Sequence, residues 1–275
     1  MKGRTRLASR LVYFTVAMLI VLSEAAFAQS ASPNGTYGFL INSSFSLTSP
    51  NPTGLAVLGV MNFDGAGTVT GPYTYEVDAN RPQAAKTTTG TFVGTYSSNP
   101  DGTGSMTMNL DSGITVKLAM VTGEAGHSLQ LVATDFQFPP TNCACNVARV
   151  VITGIARAAP AGSLNGSYSY ALNNSPNVNA SVGVATFDGA GNLSNSLTFV
   201  GASDGNGQAQ APFGLNQPGT YIINSDGTGT ITLPAVPDSN RQTYAFVTTD
   251  NGAGMLLLQT DRAGSGVASG IARLQ

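Results

Sequence analysis

The sequence predicts an all-β protein made of two tandem antiparallel meander β-barrels, or flattened sandwiches, of about eight strands each. Three observations support this prediction. One long segment occurs twice, hydrophobic residues alternate with polar ones, and turn sequences separate the alternating runs at short intervals.

The duplication is marked by the sequence Phe-Asp-Gly-Ala-Gly, which occupies residues 63–67 and again residues 187–191. Other shared sequences follow the same order in both halves: Asn-Gly-x-Tyr, Gly-Thr-Tyr, Asp-Gly-Thr-Gly and Gly-Ile-Ala-Arg. Offsets between matching positions run from 116 to 131 residues, which indicates a duplicated domain rather than a short solenoid period. We therefore expect one repeat over residues 29–160 and a second over residues 161–275.

The first 28 residues have the features of a signal peptide. Basic residues precede an apolar run at 11–22 that is too short to span a bilayer, and Ala26-Phe27-Ala28 forms a small-residue cleavage site. The chain is therefore predicted to be secreted, to the periplasm or the extracellular space, with no transmembrane segment in the mature part.

Composition excludes two classes of partner. Removing the leader leaves 8 basic and 13 acidic residues, a net charge of −5, because the leader holds four basic residues and one acidic residue. A charge-poor, mildly acidic protein lacks the basic surface that nucleic acid or an anionic membrane requires.

Runs of alternating residues between turn signals predict the strands. In Thr68 to Val77, for example, Val69, Tyr73 and Tyr75 share one face and polar residues share the other. The predicted strands of the first repeat lie near residues 35–42, 54–63, 68–78, 87–96, 103–110, 114–122, 128–136 and 148–158. Those of the second lie near 166–173, 180–187, 192–201, 208–213, 218–223, 228–233, 241–249 and 254–273, the last run holding two strands. Pairing the first strand of a repeat with its last would remove both sheet edges and close the sheet into a barrel. A two-sheet sandwich would show the same alternation of residues in the sequence.

Each repeat opens with Gly-x-Tyr, at Tyr37 and Tyr168, and closes on a strand that carries an arginine, Arg157 or Arg273. This arrangement resembles the calycin pattern of lipocalins and avidins, in which an aromatic residue of the first strand packs against a basic residue of the last. The chain also resembles secreted bacterial proteins of unknown function with repeated Phe-Asp-Gly-x-Gly and Asp-Gly-Thr-Gly turns. The resemblance implies that these four residues have a structural role.

The Asp-Gly turns have two interpretations. Asn99, Asp101, Thr103 and Gly104 match the first ligand positions of a calcium-binding EF-hand loop, but the twelfth position, which requires a glutamate, is Leu110. Hairpin turns, in which aspartate binds its own backbone and glycine adopts positive φ, explain the same residues. The sequence therefore predicts neither a metal site nor a cofactor.

Cys143 and Cys145 are the only cysteines, and they lie in an insertion that the second repeat lacks. Export makes a local disulfide between them the favoured interpretation, with free or intermolecular thiols as the alternatives.

Few residues of the sequence indicate a function. Inward-facing aromatic residues, Tyr73, Tyr75 and Phe199, are candidate contacts for a small apolar ligand, although bulky residues also fill small barrels. We expect a non-enzymatic binding or surface-structural protein with such a ligand or a cell-surface or matrix partner. One alternative is an enzyme whose site lies at the open end of the first repeat near His127, Glu124 and the cysteine loop. Another is a single 16-stranded outer-membrane barrel.

Overall fold

A computed structural model of the protein describes residues 32–46, 52–77, 86–123, 126–137, 151–158, 163–175, 179–200, 213–234, 242–261 and 267–275. These residues form sixteen strands and a short 3-10 turn at Asp250–Gly252. Among them, no helix is long and apolar enough to cross a membrane.

The first eight strands close into one antiparallel barrel, here called barrel 1. Consecutive strands pair in order, and β1 pairs with β8 to complete the circle. Its strands are β1 Gly35–Ser46, β2 Pro52–Phe63, β3 Thr68–Val77, β4 Lys86–Ser98, β5 Thr103–Leu110, β6 Thr115–Gly123, β7 Ser128–Gln137 and β8 Val151–Ala158.

The other eight strands form barrel 2 in the same way, closed by pairing between β9 and β16. Its strands are β9 Asn165–Ser175, β10 Asn179–Asp188, β11 Asn192–Val200, β12 Phe213–Ile223, β13 Thr228–Leu233, β14 Gln242–Thr249, β15 Gly254–Gln259 and β16 Val267–Leu274. The predicted tandem barrels are therefore confirmed, and neither a sandwich nor a single 16-stranded barrel forms.

One strand prediction of the second repeat is wrong. Residues 208–213 and 218–223 were expected to be separate strands, whereas Phe213–Ile223 is one strand, β12, and residues 208–212 lie outside the described part of the chain. Proline within the strand is tolerated because β12 pairs with β13 only from Thr220 onward, so Pro218 has a hydrogen-bonding neighbour on one side alone.

The inward faces of the two barrels form two separate cores. Residues alternate between core and solvent, as in β5, where Met106, Met108 and Leu110 are buried and Ser105 and Asn109 are exposed. This alternation is what a closed sheet requires, since successive side chains point to opposite faces.

A third apolar cluster lies between the barrels and consists of outward-facing residues. Its members are Leu40, Ala56, Leu58, Val60, Val247, Leu256 and Leu258. Two hydrogen bonds accompany it, from Ser269 Oγ to Asn42 Oδ1 (2.7 Å) and from Thr87 Oγ1 to the Thr260 carbonyl (2.6 Å). The barrels therefore share a packed interface formed by β1 and β2 of barrel 1 and β14 to β16 of barrel 2.

A candidate ligand site inside the second barrel

One end of barrel 1 is closed by three aromatic rings, which we call the aromatic plug. Tyr37, Phe63 and Tyr96 meet edge to face, with ring centroids 5.2 and 4.9 Å apart. The Tyr37 hydroxyl donates to the Gly126 carbonyl, and the Tyr96 hydroxyl donates to the Pro33 carbonyl at 2.9 Å. The plug thus satisfies its buried hydroxyls with backbone carbonyls at the same end of the barrel.

Barrel 2 has the same plug. Tyr168, Phe187 and Tyr221 meet edge to face at 5.3 and 5.1 Å. The Tyr168 hydroxyl donates to the Gly252 carbonyl at 2.5 Å, and the Tyr221 hydroxyl donates to the Leu164 carbonyl at 3.0 Å. Burial raises the pKa of Tyr168, so its hydroxyl remains a donor at neutral pH. The repeated sequence motifs supply the plug of each barrel.

The repeated aspartates stabilise the turns at this end. Asp64 Oδ1 accepts hydrogen bonds from the backbone amides of Ala66 (2.7 Å) and Thr68 (2.8 Å). The bond from Thr68 and then that from Ala66 lower the pKa of Asp64, because they stabilise the charged carboxylate. Gly65 has φ of 75° and Gly67 has φ of 110°, a region that glycine adopts without strain. These are the contacts that the hairpin-turn interpretation of the Asp-Gly sequences predicts.

The Asp-Gly-Thr-Gly turns use their aspartates similarly. Asp101 Oδ1 accepts from the Thr103 amide (2.9 Å) and hydroxyl (2.7 Å), and Asp226 makes the same pair of contacts with Thr228. In the described part of the chain, no three acidic, histidine or cysteine side chains are grouped for metal binding.

The arginine and tyrosine singled out in the second repeat bind the same turn. Arg273 donates to the Asp250 carboxylate at 2.7 Å, while Tyr168 binds the Gly252 carbonyl. Asp250 and Asn251 have positive φ values of 54° and 59°, a left-handed region that aspartate and asparagine adopt more readily than other residues except glycine. The two contacts hold this turn from outside and inside the barrel. In barrel 1, Arg157 lies on β8 opposite Gly38, one residue from Tyr37.

Of the residues named in the enzyme alternative, the structure describes only His127. His127 is exposed in the turn before β7, beside the aromatic plug. The connection that carries Cys143 and Cys145 starts after Gln137, at the other end of β7. Glu124 and both cysteines lie outside the described residues, so the disulfide stays a prediction.

The predicted ligand contacts of barrel 1 are part of its core. Tyr73 is 2% exposed, stacks on Tyr75 with centroids 5.9 Å apart, and donates its hydroxyl to Asp111 Oδ1 at 2.7 Å. The side chain of Phe199 lies outside the described residues, although its backbone belongs to β11. A ligand role for these three residues stays a prediction.

Three inward positions differ in character between the barrels. In barrel 1 they are Phe39, Gly71 and Phe92; the two phenylalanines meet edge to face at 6.0 Å, and Gly71 pairs with Phe92 across β3 and β4. In barrel 2 the corresponding residues are polar. They are Tyr170, Asn195 and Gln217, which we call the polar triad, and Asn195 pairs with Gln217 across β11 and β12.

Two members of the polar triad are buried, and the third, Tyr170, is partly buried. Asn195 is 5% exposed and Gln217 is 3% exposed. The Tyr170 hydroxyl donates to Asn195 Oδ1 at 2.8 Å, and burial raises the pKa of Tyr170 to about 12. Gln217 Oε1 has no hydrogen-bond partner among the described residues. An unpaired buried carbonyl is unusual, since buried polar atoms are nearly always hydrogen-bonded.

A cavity of about 40 Å³ lies beside the triad. It is lined mainly by apolar side chains, among them Ala185 and Leu193, and by the polar groups of Tyr170 and Asn195. Ala185 occupies the position that Met61 holds in barrel 1, since each pairs with the plug tyrosine of its first strand. The smaller alanine leaves space that Met61, which is fully buried, fills in barrel 1.

A larger cleft of about 400 Å³ lies between the barrels. Its polar groups are largely engaged within their own turn: Asn224 donates to the Thr228 hydroxyl at 2.9 Å, and Asp226 accepts from Thr228. The cavity of barrel 2 is therefore the stronger candidate. Asn195, which lines it, pairs across β11 and β12 with Gln217, whose buried Oε1 has no hydrogen-bond partner among the described residues.

Comparison with known proteins yields distant structural similarity only. No protein-family model and no curated sequence matches the chain. Kievitone hydratase from Nectria haematococca is similar at 9% identity and a TM-score of 0.31, covering 88% of this chain and 90% of that one. AttH from Nitrosomonas europaea is similar at 7% identity and a TM-score of 0.32, covering 87% and 92%. CghA, solved with Sch210972, is similar at 8% identity and a TM-score of 0.27, covering 89% of each chain.

Sequence analysis missed both the polar triad and the cavity. The signal was present in the aligned repeats, where Tyr170, Asn195 and Gln217 stand in place of two phenylalanines and a glycine, and Ala185 in place of Met61.

Proposed function

We propose that the protein is an exported, non-enzymatic binding protein whose second barrel holds a small, largely apolar ligand. The leader-like residues 1–28 support export. Small eight-stranded barrels accommodate one ligand when side chains leave room in the interior.

The observation that carries the proposal is the difference between two barrels of common origin. Barrel 1 fills its interior with Met61, Phe39 and Phe92, whereas barrel 2 has Ala185, a cavity and buried polar groups at the same height. A few convergent polar groups in an otherwise apolar cavity are typical of small-molecule sites. A barrel that only had a structural role would gain stability from the packing of barrel 1.

The test restores the packing of barrel 1 in barrel 2. Ala185→Met would fill the cavity, and titration calorimetry would measure binding of 1-hexanol, methyl pentyl ether and toluene to the full chain. We expect the wild type to bind at least one of the three compounds and Ala185→Met to bind none.

A matched control places methionine at an exposed outward position, Val93→Met, which should bind like the wild type. Absence of binding of all three compounds by the wild type would overturn the proposal, as would equal binding by Ala185→Met.

A further inference from the structure

The hydrogen bonds of the polar triad leave one acceptor unused. The Tyr170 hydroxyl proton is directed at Asn195 Oδ1, so this hydroxyl donates within the triad. Gln217 Oε1 is buried and has no partner among the described residues. Directly opposed residues on one sheet face are about 5 Å apart at Cβ, so Gln217 lies close to the cavity that Asn195 lines.

The described lining of the cavity contains no acidic or basic side chain. A charged ligand group there would lose its hydration without an opposite charge, which is costly in a largely apolar interior. A neutral group that donates a hydrogen bond would satisfy Gln217 Oε1 without that cost.

Resting on the proposed function, we infer that the ligand of barrel 2 is a neutral molecule with an apolar body and one O–H or N–H donor, such as an alcohol, phenol or primary amide. Its donor binds Gln217 Oε1, and its apolar atoms contact residues such as Ala185, Leu193 and Met255. Gln217 is thus a specificity-determining residue. It disfavours ligands of the same shape that lack a donor, because binding them would leave the carbonyl unpaired.

The test compares two isomers, 1-hexanol, which has a donor, and methyl pentyl ether, which does not. We expect the full-length wild type to bind the alcohol at least about tenfold more tightly than the ether, by titration calorimetry. Gln217→Met keeps a similar volume and removes the acceptor. In this variant the preference should disappear, mainly through weaker binding of the alcohol, because the acceptor for its hydroxyl is gone.

The control variant Gln130→Met makes the same chemical change at an exposed site of barrel 1 and should keep the preference. Equal affinity of the wild type for the two isomers would overturn this inference and leave the proposed function standing. So would a preference that Gln217→Met retains. Failure of both isomers and of toluene to bind would overturn the proposed function as well.

Discussion

Gln217 places a polar amide where the equivalent residue of barrel 1, Phe92, packs against another ring. A buried acceptor without a partner costs free energy in the ligand-free protein. Residues that serve a ligand often reduce stability in this way, because the site is arranged for a group that is absent before binding.

Replacing this amide should therefore stabilise the ligand-free protein. We expect Gln217→Met to raise the free energy of unfolding by about 1–3 kcal/mol, since it removes an unsatisfied polar atom and adds apolar burial. Urea denaturation followed by circular dichroism would measure the change. Gln130→Met should leave it within about 0.5 kcal/mol. A loss of stability in Gln217→Met would show that the amide is satisfied in the folded state.

Tyr170 should make the stability of the folded protein depend on pH in the alkaline range. Burial of its side chain raises the pKa of Tyr170 in the folded protein from its ordinary value of 10.0 to about 12. The unfolded chain therefore releases this proton first as the pH rises. Stability from Tyr170 is fully present below pH 10 and is lost progressively up to about pH 12.

Tyr170→Phe should consequently lose less stability than the wild type between neutral pH and pH 12. Denaturant unfolding at a series of pH values would measure the difference. Tyr75→Phe, which alters a partly buried tyrosine in barrel 1, serves as the control. Identical alkaline profiles for the wild type and Tyr170→Phe would contradict the prediction.

At the scale of elements, the aromatic plug explains why three motifs repeat together. Gly-x-Tyr begins the first strand, the phenylalanine ends the second, and Gly-Thr-Tyr lies in the fourth, so the closed meander brings all three to one end. The Phe-Asp-Gly-Ala-Gly motif therefore combines one plug ring with the turn that follows it.

The central ring of each plug should be the most sensitive position. Phe187 is 1% exposed and contacts Tyr168 and Tyr221, so Phe187→Ala should destabilise the protein by about 3–5 kcal/mol. Thermal and urea unfolding would measure the loss.

Phe63→Ala makes the matched change in barrel 1, where the ring is 3% exposed, and should give a loss of similar size. A change below about 1 kcal/mol in both variants would show that the plug does not stabilise the barrels.

Strands could be predicted from sequence where one face is core and the other is solvent. β5 follows this rule, and its alternation located it correctly. The sequence predicted two strands where the structure has the single strand β12, and only the extent of pairing with β13 shows why Pro218 is accepted within it. Local sequence carries the period of a strand but not the number of its neighbours.

At the scale of the whole molecule, the interface between the barrels was the main structural feature that sequence analysis missed. Its signal was a set of unbroken apolar runs at residues 39–41, 55–61 and 255–258, which are typical of strands buried on both faces. The candidate site could not be predicted from one repeat alone, because the polar triad gains meaning only when the inward positions of both barrels are compared.

The interface gives a prediction about cooperativity. Leu58 faces outward but is 2% exposed because barrel 2 covers it. Leu58→Asp would bury an unpaired carboxylate in this contact and separate the barrels. We expect two unfolding transitions in differential scanning calorimetry in place of one, with a lower first midpoint.

Val93→Asp is the matched control, since Val93 also faces outward in barrel 1 but is 61% exposed. It should leave the unfolding profile unchanged. A single unshifted transition for Leu58→Asp would show that the interface does not couple the barrels.

The pairing of first and last strands also has a kinetic consequence. Ser169 and Arg273, which are hydrogen-bonded in the β9–β16 pair, are 104 residues apart in sequence. Contacts of such long range make folding slow, because much of the loop entropy is lost before they form. Until β16 arrives, β9 and β15 present unpaired backbone edges. We expect those temporary edges, which the finished barrel abolishes, to be where refolding chains aggregate.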